Sequence, residues 1–337
     1  MSGGRTGAPR FTIVIPTVNR AALVGRAVDS ALGQTYSDIE VIVSNNGSRD
    51  GTRGVLDRYH DPRLRIFHRD ETIPATAHGN FLLDQARGEF FLGLSDDDWV
   101  EPGFARTVLD LFDRRPGLSF VYTGCLIHYA DVALPARTGP QSEPGPEFLA
   151  AFMGGRRDVC WCACVTRTAD LRRIGPIPPG TICGDMFYWT KLASCGEVGC
   201  APEVVSHYVS YRDAGDNHSG GTPVLAWAQE VEALAHDMVA TCGRARLNPD
   251  AFGKLESDSV EFVARSTADQ FVWNALRGAS RLSLLRTVAP SVRFLRGGGA
   301  ALWIRVAASV AAPPWLLRNR VLAAAARRAR ASNPGQR

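Results

Sequence analysis

Residues 88–103 read GEFFLGLSDDDWVEPG, and their centre sets Asp96, Asp97 and Asp98 between an apolar run and a Trp-Val-Glu-Pro turn. At neutral pH each carboxylate repels the next, so the cluster costs stability or shifts pKa values unless all three point into water. A bound cation relieves both. A hard divalent metal with oxygen ligands suits this pattern; the plain alternative is a solvated acidic turn. The flanks argue for the first. EFFLGL has the length and aromatic character of a buried strand. VEPGFARTVLDLFDRR opens with Glu-Pro and carries Phe104, Val108, Leu111 and Phe112 at helical spacing. The cluster is therefore expected at the C-terminal end of a strand, where open α/β sheets bind their ligands.

Composition bounds the class. With 337 residues, 45% hydrophobic and 21% charged, the chain buries a full core as one large domain or two modest ones. Residues 1–9 read as a flexible lead without the apolar run of a secretory signal, so a cytoplasmic location is expected. Of the eight cysteines, Cys160, Cys162 and Cys164 in VCWCACV are the most suggestive. Their period of two predicts one face of a strand, where free cysteine acts as a small buried hydrophobe, and it does not suit zinc. Cys125, Cys183, Cys195, Cys200 and Cys242 are likewise read as reduced thiols.

The segment FTIVIPTVNRAALVGRAVDSALGQTYSDIEVIVSNNGSRDGT predicts a strand over Phe11 to Ile15, an amphipathic helix over Ala22 to Gly33 and a second strand over Ile39 to Ser44. Such a βαβ unit makes the strands parallel and sets their following loops, Thr17 to Arg20 and Asn45 to Asp50, side by side. GTRGVLDRYHD, LRIFHR and TAHGNFLLDQARG then supply a helix, a third strand and a helix before the triple aspartate.

In this order the motifs resemble the family 2 glycosyltransferases of the GT-A fold. TIVIPTVNR looks like their first strand and loop, VIVSNNGSRDGT like their VDDGSxDGT, and HGNFLLDQARGEFFLGLSDDDW like the stretch ending in their metal motif. The match covers roughly residues 10 to 215. It implies an α/β fold with a Rossmann-like, mostly parallel sheet flanked by helices, a catalytic domain over residues 10–221, and a nucleotide-sugar donor. Pro16 and Thr17 would shape the loop against base and ribose. Asn19 and Arg20 would contact base or phosphate, Asn45 and Asn46 the base edge, and Asn80 the donor from the third helix. Ordinary turn and cap chemistry is the competing reading for Thr17, Asn19 and Arg20. The family commonly has an acidic residue where Asn45 and Asn46 stand, which loosens the choice of nucleotide; UDP is the first choice and dTDP the second.

Aligned on the tryptophan, SDDDW matches the family's DSDDW with Ser95 at the first acidic place. Asp97 becomes the direct ligand of Mg²⁺ or Mn²⁺, Asp96 lies toward the ribose or a metal-bound water, and Asp98 supports the shell. GTICGDMFYWTKLASCGEVGCAPE resembles the family's EDxxLWxRLxxxG, whose Asp serves as the base; here that is Asp185, with an N-cap role as the alternative. VVSHYVSYRDAGDNHSGG resembles the family's closing loop, with Arg212 as a phosphate contact, His218 as a further metal or diphosphate contact, and His207 in the strand. Trp161 and Trp189 form an acceptor wall or pack in the core.

Residues 222–337 fall outside the shared pattern and read as helices. From Phe271 onward there are twelve arginines and no acidic residue, so the rest of the chain is net acidic despite the total of +4. Leu285, Val288, Val292 and Leu295 recur at helical spacing with Arg286, Arg293 and Arg296 elsewhere on the wheel. GAALWIRVAASVAAPPWLLRNR is broken by Arg305 and Pro313-Pro314, too interrupted for a span. A cationic, amphipathic region with Trp303 and Trp315 suits the anionic inner face of a membrane, where lipid-linked acceptors reside; the plain alternative is packed helices with solvated arginines. No recognised nucleic-acid module accompanies the charge.

The reading is a metal-dependent, inverting transferase acting on a glycan, lipid-linked or small-molecule acceptor. A sugar nucleotidyltransferase is the alternative enzyme, but PTVNR lacks the Gly-rich, Lys-bearing loop it would show. A non-catalytic nucleotide-sugar-binding module at a membrane is the alternative without chemistry.

Overall fold

In the computed structural model, which describes residues 7–129, 132–211, 222–244, 247, 249–313 and 316–317, the apolar runs of the N-terminal part become parallel strands. β1 (Phe11–Thr17) and β2 (Ile39–Asn45) are buried almost throughout, which is why they read as continuous rather than alternating hydrophobic runs. Between them α1 (Val24–Leu32) turns Val24, Ala27, Val28 and Ala31 inward at the i, i+3, i+4, i+7 spacing of one helical face. α2 (Thr52–Leu56), β3 (Leu64–His68), α3 (Ala75–Gln85) and β4 (Phe90–Gly93) complete the winding. The order β3-β2-β1-β4 is parallel throughout. Register fixes the site: Thr17 pairs with Asn45, Asn45 with His68, and Val14 with Gly93, so the residues after Gly93 run level with the end of β1.

β1 runs two residues further than its apolar pattern predicts, so Pro16 and Thr17 are strand residues and the loop starts at Val18. Next come β5 (Trp99–Val100), α4 (Phe104–Arg114), β6 (Leu118–Tyr129), β7 (Val132–Pro135), β8 (Ser142–Pro144), α5 (Gly145–Met153) and β9 (Cys164–Arg167). α6 (Thr168–Ile174), α7 (Gly184–Ala193) and β10 (Glu197–Tyr211) follow. β9 runs antiparallel to β4 and β6, and β10 antiparallel to β5 and β8, so the described sheet is parallel on one side and antiparallel on the other. In α4, Phe104, Val108, Leu111 and Phe112 are all buried.

One predicted element is corrected. Cys160, Cys162 and Cys164 do not share a strand: Trp161–Ala163 is a 3-10 turn, closed by the Cys164 N–H on the Trp161 carbonyl, and β9 begins only at Cys164. The Trp161 indole of this turn lies directly on the end of β4, where Gly93 leaves no room for a Cβ. The thiols are nonetheless buried, and all eight cysteines are free.

The chain divides into two compact units. One comprises Met1–Leu126, Thr138–Pro144 and Val159–Tyr208; the other comprises Ile127–Arg137, Gly145–Asp158 and Val209–Arg337. The second is mainly helical, with α8 (Val224–Arg244), α9 (Pro249–Leu276), α10 (Arg281–Leu295) and α11 (Ala300–Ala311). Its core gathers Phe271, Ala268, Leu284, Leu295 and Val306. The predicted apolar stripe of α10 is split: Leu295 is buried and Val288 packs against the core, whereas Leu285 and Val292 face out. The inward face follows Leu284, Val288, Ser291 and Leu295, displaced by one residue from the expected line at two of its four positions.

Candidate active site

The acidic motif sits where the register puts it, in the turn after β4. Leu94 N–H still bonds the Val14 carbonyl at 2.9 Å, and Asp98 N–H closes the turn on the Ser95 carbonyl at 3.1 Å. Asp96 and Asp98 are buried and Asp97 is half-buried. Burial pushes the Asp96 carboxyl up to about 6, with the charge of Asp97 adding to it. Arg20, whose Nε lies 3.6 Å from Oδ1, and the Val18 N–H pull the other way without prevailing. The Thr17 hydroxyl also favours the ionised form, yet its geometry falls short of a hydrogen bond and leaves that buried oxygen without a partner.

The exit from the turn is pinned by stacking. β5 pairs Trp99 with His207 of β10, and the two rings stack at 4.5 Å with 7° between their planes. His207 Nε2 is 2.8 Å from Glu101 Oε1. The guanidinium of Arg26, on α1, lies 3.9 Å from the Trp99 ring centre and donates to the Asp97 carbonyl at 2.6 Å. Arg26 went unnoticed in the sequence because it is one more arginine on an exposed helix face; only its offset toward the motif distinguishes it.

The loops after β1 and β2 are tied together. Asn19 adopts φ 55, a left-handed conformation that asparagine tolerates, and its Oδ1 accepts the Arg49 N–H at 2.8 Å. Its own N–H bonds Ser48 Oγ, and Arg20 N–H bonds Thr52 Oγ1. Asn45 donates to His68 Nδ1 at 3.2 Å, which makes that nitrogen the acceptor and lets Nε2–H donate to Asp57 at 3.1 Å. Asn46 engages both ends of its amide with Ile73, donating to the carbonyl at 2.9 Å and accepting the N–H at 3.0 Å. Gly47, at φ 71, has no room for a side chain: a Cβ would meet the Glu71–Thr72 peptide at 2.6 Å. Asn80 makes the same reciprocal pair with Ile177, at 3.0 and 2.9 Å, so it fastens the approach to α7.

Asp185 stands in the first turn of α7, one residue inside its start; Cys183 holds the N-cap position, and the Asp185 carboxylate accepts the Met186 N–H at 2.8 Å, a bond to the helix N-terminus from inside the first turn. The helix still places a carboxylate where the dipole favours one. Burial drives the Tyr208 phenol well above its ordinary range, and Asp98, Cys160, Asp185 and Cys162 add to the shift. One phenol thus senses both the acidic motif and a carboxylate 87 residues away in sequence. Asp185 also adds to the upward shift that burial imposes on the Cys164 thiol. Trp189 is buried and Trp161 half-buried. Arg212, His218 and Trp315 lie outside the described residues.

Residues 12–171 match the family described as Glycosyl transferase family 2. Residues 12–171 form a family 2 glycosyltransferase domain. Over 122 residues the chain is 33% identical to the GalNAc(5)-diNAcBac-PP-undecaprenol beta-1,3-glucosyltransferase of Campylobacter jejuni, a match covering 35% of this chain and 39% of that relative. It therefore spans about two fifths of that relative's length. Among solved structures, S. aureus TarS 1-349 in complex with UDP-GlcNAc superimposes with a TM-score of 0.57 at 14% identity, over 84% of this chain and 91% of that one. The mannosyltransferase PcManGT from Pyrobaculum calidifontis, in complex with GDP-Man and Mn2+, does so with a TM-score of 0.54 at 19% identity, over 90% and 88%. The fold is of GT-A type.

Whether the family 2 domain suits a divalent ion can be judged from its donors. No three His, Cys, Asp or Glu side chains among the described residues converge as an all-protein cage. A hard ion that takes one or two carboxylates and fills its other positions with phosphate oxygens and water needs no such cage. Asp97 beside a buried Asp96 whose charge is disfavoured matches that requirement.

Proposed function

We propose that the chain is an inverting, metal-dependent glycosyltransferase that moves a sugar from a nucleotide diphosphate donor to an acceptor hydroxyl. The observation that carries this reading is the acidic turn at the C-terminal end of β4, beside parallel β1, where Arg20 from the loop after β1 lies 3.6 Å from the buried Asp96. UDP-sugar is the first choice of donor and dTDP-sugar the second, and the acceptor is a glycan, a lipid-linked intermediate or a natural product. The UDP-GlcNAc and GDP-Man complexes of the two structural neighbours support a sugar nucleotide as ligand.

Asp97, assisted by Asp98 and by His218 from the following loop, would hold Mg²⁺ or Mn²⁺, which when bound neutralises charge growing on the diphosphate leaving group. Asp96 faces the ribose or a metal-bound water, with Arg20 against it and Arg212 toward phosphate. Pro16, Thr17, Asn19, Asn45 and Asn46 build the wall against base and ribose, and Asn80 steadies the α7 approach. Asp185 takes the proton from the acceptor hydroxyl as that oxygen attacks the anomeric carbon from the face opposite the departing phosphate. Single displacement with inversion is inferred from the family resemblance together with one candidate base and no obvious covalent nucleophile among the described residues. We place the enzyme in the cytoplasm, peripheral to the inner face of the cell membrane, where an acceptor like the undecaprenol-linked one in the Campylobacter relative's name would present its hydroxyl.

The test is Asp185→Asn. Donor affinity by calorimetry should stay near wild type, while the transfer rate falls by ~10²- to 10⁴-fold. A rate within a few-fold of wild type would reject the base.

A further inference from the structure

We propose that the outward faces of α10 and α11 are a docking surface for an anionic lipid bilayer. The proposal deepens the membrane part of the function above and rests on that reading only for the reason to be at a membrane. On α10 the outward arc carries Leu282, Leu285 and Val292, at 58%, 56% and 38% exposure, with Ala289 between them. Arg286, Arg293 and Arg296 are exposed on the same arc. On α11 the outward positions Ala300, Trp303, Ile304, Ala307 and Ala311 recur at i, i+3, i+4, i+7 and i+11, all exposed and all apolar, with Ile304 at 62%. The opposite faces bury Leu284, Leu295 and Val306 in the core of this unit, so the outer stripes are not core residues out of place. Large apolar side chains in a row on an outer face mark an interaction surface.

Charge selects the occupant. Arg293 pairs with Glu232 and Arg305 with Asp269, but Arg281, Arg286 and Arg296 have no acidic partner among the described residues. From Phe271 to Arg337 there is no acidic residue at all. A second copy docked symmetrically on this face would set arginine against arginine with nothing to neutralise it. Nucleic acid would meet the arginines but leave Leu285, Trp303 and Ile304 in water. An anionic bilayer satisfies both classes at once, with arginines among the headgroups and the apolar stripe at the acyl boundary. The contact is lateral: α11 has 12 residues, roughly 18 Å of helix against the ~30 Å of a hydrocarbon core, and no described helix is long and apolar enough to cross a membrane.

The experiment is co-sedimentation of the full chain with vesicles of phosphatidylcholine alone or mixed with phosphatidylglycerol, for wild type and for a Leu285→Asp/Ile304→Asp double variant. Wild type should bind the mixed vesicles, less so as salt rises, and ignore the neutral ones. The double variant should lose roughly tenfold or more in partitioning while keeping its thermal stability, since both sites are exposed. Leu285→Ser/Ile304→Ser gives the same reading should the aspartates disturb folding. The proposal is overturned by absence of wild-type binding, by undiminished binding of both double variants, or by a wild-type dimer that these substitutions dissociate. Donor affinity measured in parallel separates the two claims. A chain that binds vesicles but no sugar nucleotide defeats the glycosyltransferase reading alone; one that binds donor but no vesicles defeats the docking face alone.

Discussion

Two strand ends on either side of β1, those of β2 and β4, solve the same problem in opposite ways. Both carry runs of polar side chains into a crowded loop. At the end of β2 the polar groups are amides, and the protein answers them itself: Asn46 with Ile73, Asn45 with His68 and Ser48. At the end of β4 they are carboxylates, and the protein answers them incompletely, leaving Asp96 with its carboxyl pushed up to about 6. An end that its own neighbours satisfy is structural architecture that shapes a wall. An end left electrostatically dissatisfied is where binding energy is to be gained from a ligand of opposite charge.

The largest effect expected from this contrast comes from removing the charge that crowds the buried Asp96. Asp97→Asn keeps the volume and should abolish metal-dependent donor binding, a loss beyond the ~10- to 100-fold typical of an outer-shell partner. Its melting temperature should not fall, because the neighbouring Asp96 loses a like charge. Calorimetry of donor binding with and without Mn²⁺ measures both; undiminished Mn²⁺-dependent binding would remove the motif from the mechanism and erase the contrast.

A second effect is a pair of opposed pH dependences. His78, buried on α3 with its Nε2 lacking a partner, has its pKa lowered from 6.5 to about 4, by burial first and then by Arg69. The fold prefers His78 neutral, so its contribution is present above pH 6.5 and is lost as pH falls from 6.5 toward 4, at most ~3 kcal/mol. Asp96 runs the other way: with its folded pKa raised from 3.8 to about 6, relative stability is present below 3.8 and lost as pH rises through 6. Without metal the two nearly cancel between pH 4 and 6. His78→Gln should therefore become less stable as pH rises across that window, and Asp96→Asn more stable, in urea titrations at several pH values. Parallel curves for both variants and wild type would refute the opposed titrations.

Smaller again is the loss of an internally answered amide. Asn46→Ala removes two bonds to Ile73 and should cost about 1–3 kcal/mol of stability, with metal dependence untouched. A variant that folds normally but loses donor affinity would turn Asn46 from wall into contact.

The contrast also explains what was legible beforehand. The parallel strands were readable because burial on both faces makes continuous apolar runs, and the acidic turn because like charges seldom crowd without cause. The polar partners were not readable. Nothing in SNNGS says that Asn46 faces Ile73, and nothing in HGN says that Asn80 reaches Ile177, because both depend on loops whose path is set by tertiary packing. Trp161 shows the same limit: the alternating cysteines predicted a strand, and the chain instead makes a turn whose indole sits on Gly93. Arg26 matters through its placement, above Trp99 and on the Asp97 carbonyl, which no sequence pattern shows.

The smallest expected effect sharpens the contrast most finely, because it converts one end toward the chemistry of the other. Asn45→Asp replaces a donor to His68 with a carboxylate that can only accept. His68 already faces Asp57 through Nε2, so a proton on both ring nitrogens would let it donate to each side, an imidazolium between two carboxylates. The Ser48 N–H that Asn45 Oδ1 accepts at 3.2 Å is kept, since a carboxylate oxygen accepts as well as an amide oxygen. With Asp57 and His68 both partly accessible, the new ion pair should change stability by less than ~1 kcal/mol. Nitrogen chemical shifts of the His68 ring in the variant would show the doubly protonated form directly. The family pattern commonly carries an acid at this place, so donor binding should survive. If the variant instead became dependent on Mn²⁺ for its stability, the end of β2 would have acquired the dissatisfaction of the end of β4, and the difference between them would rest on that one amide.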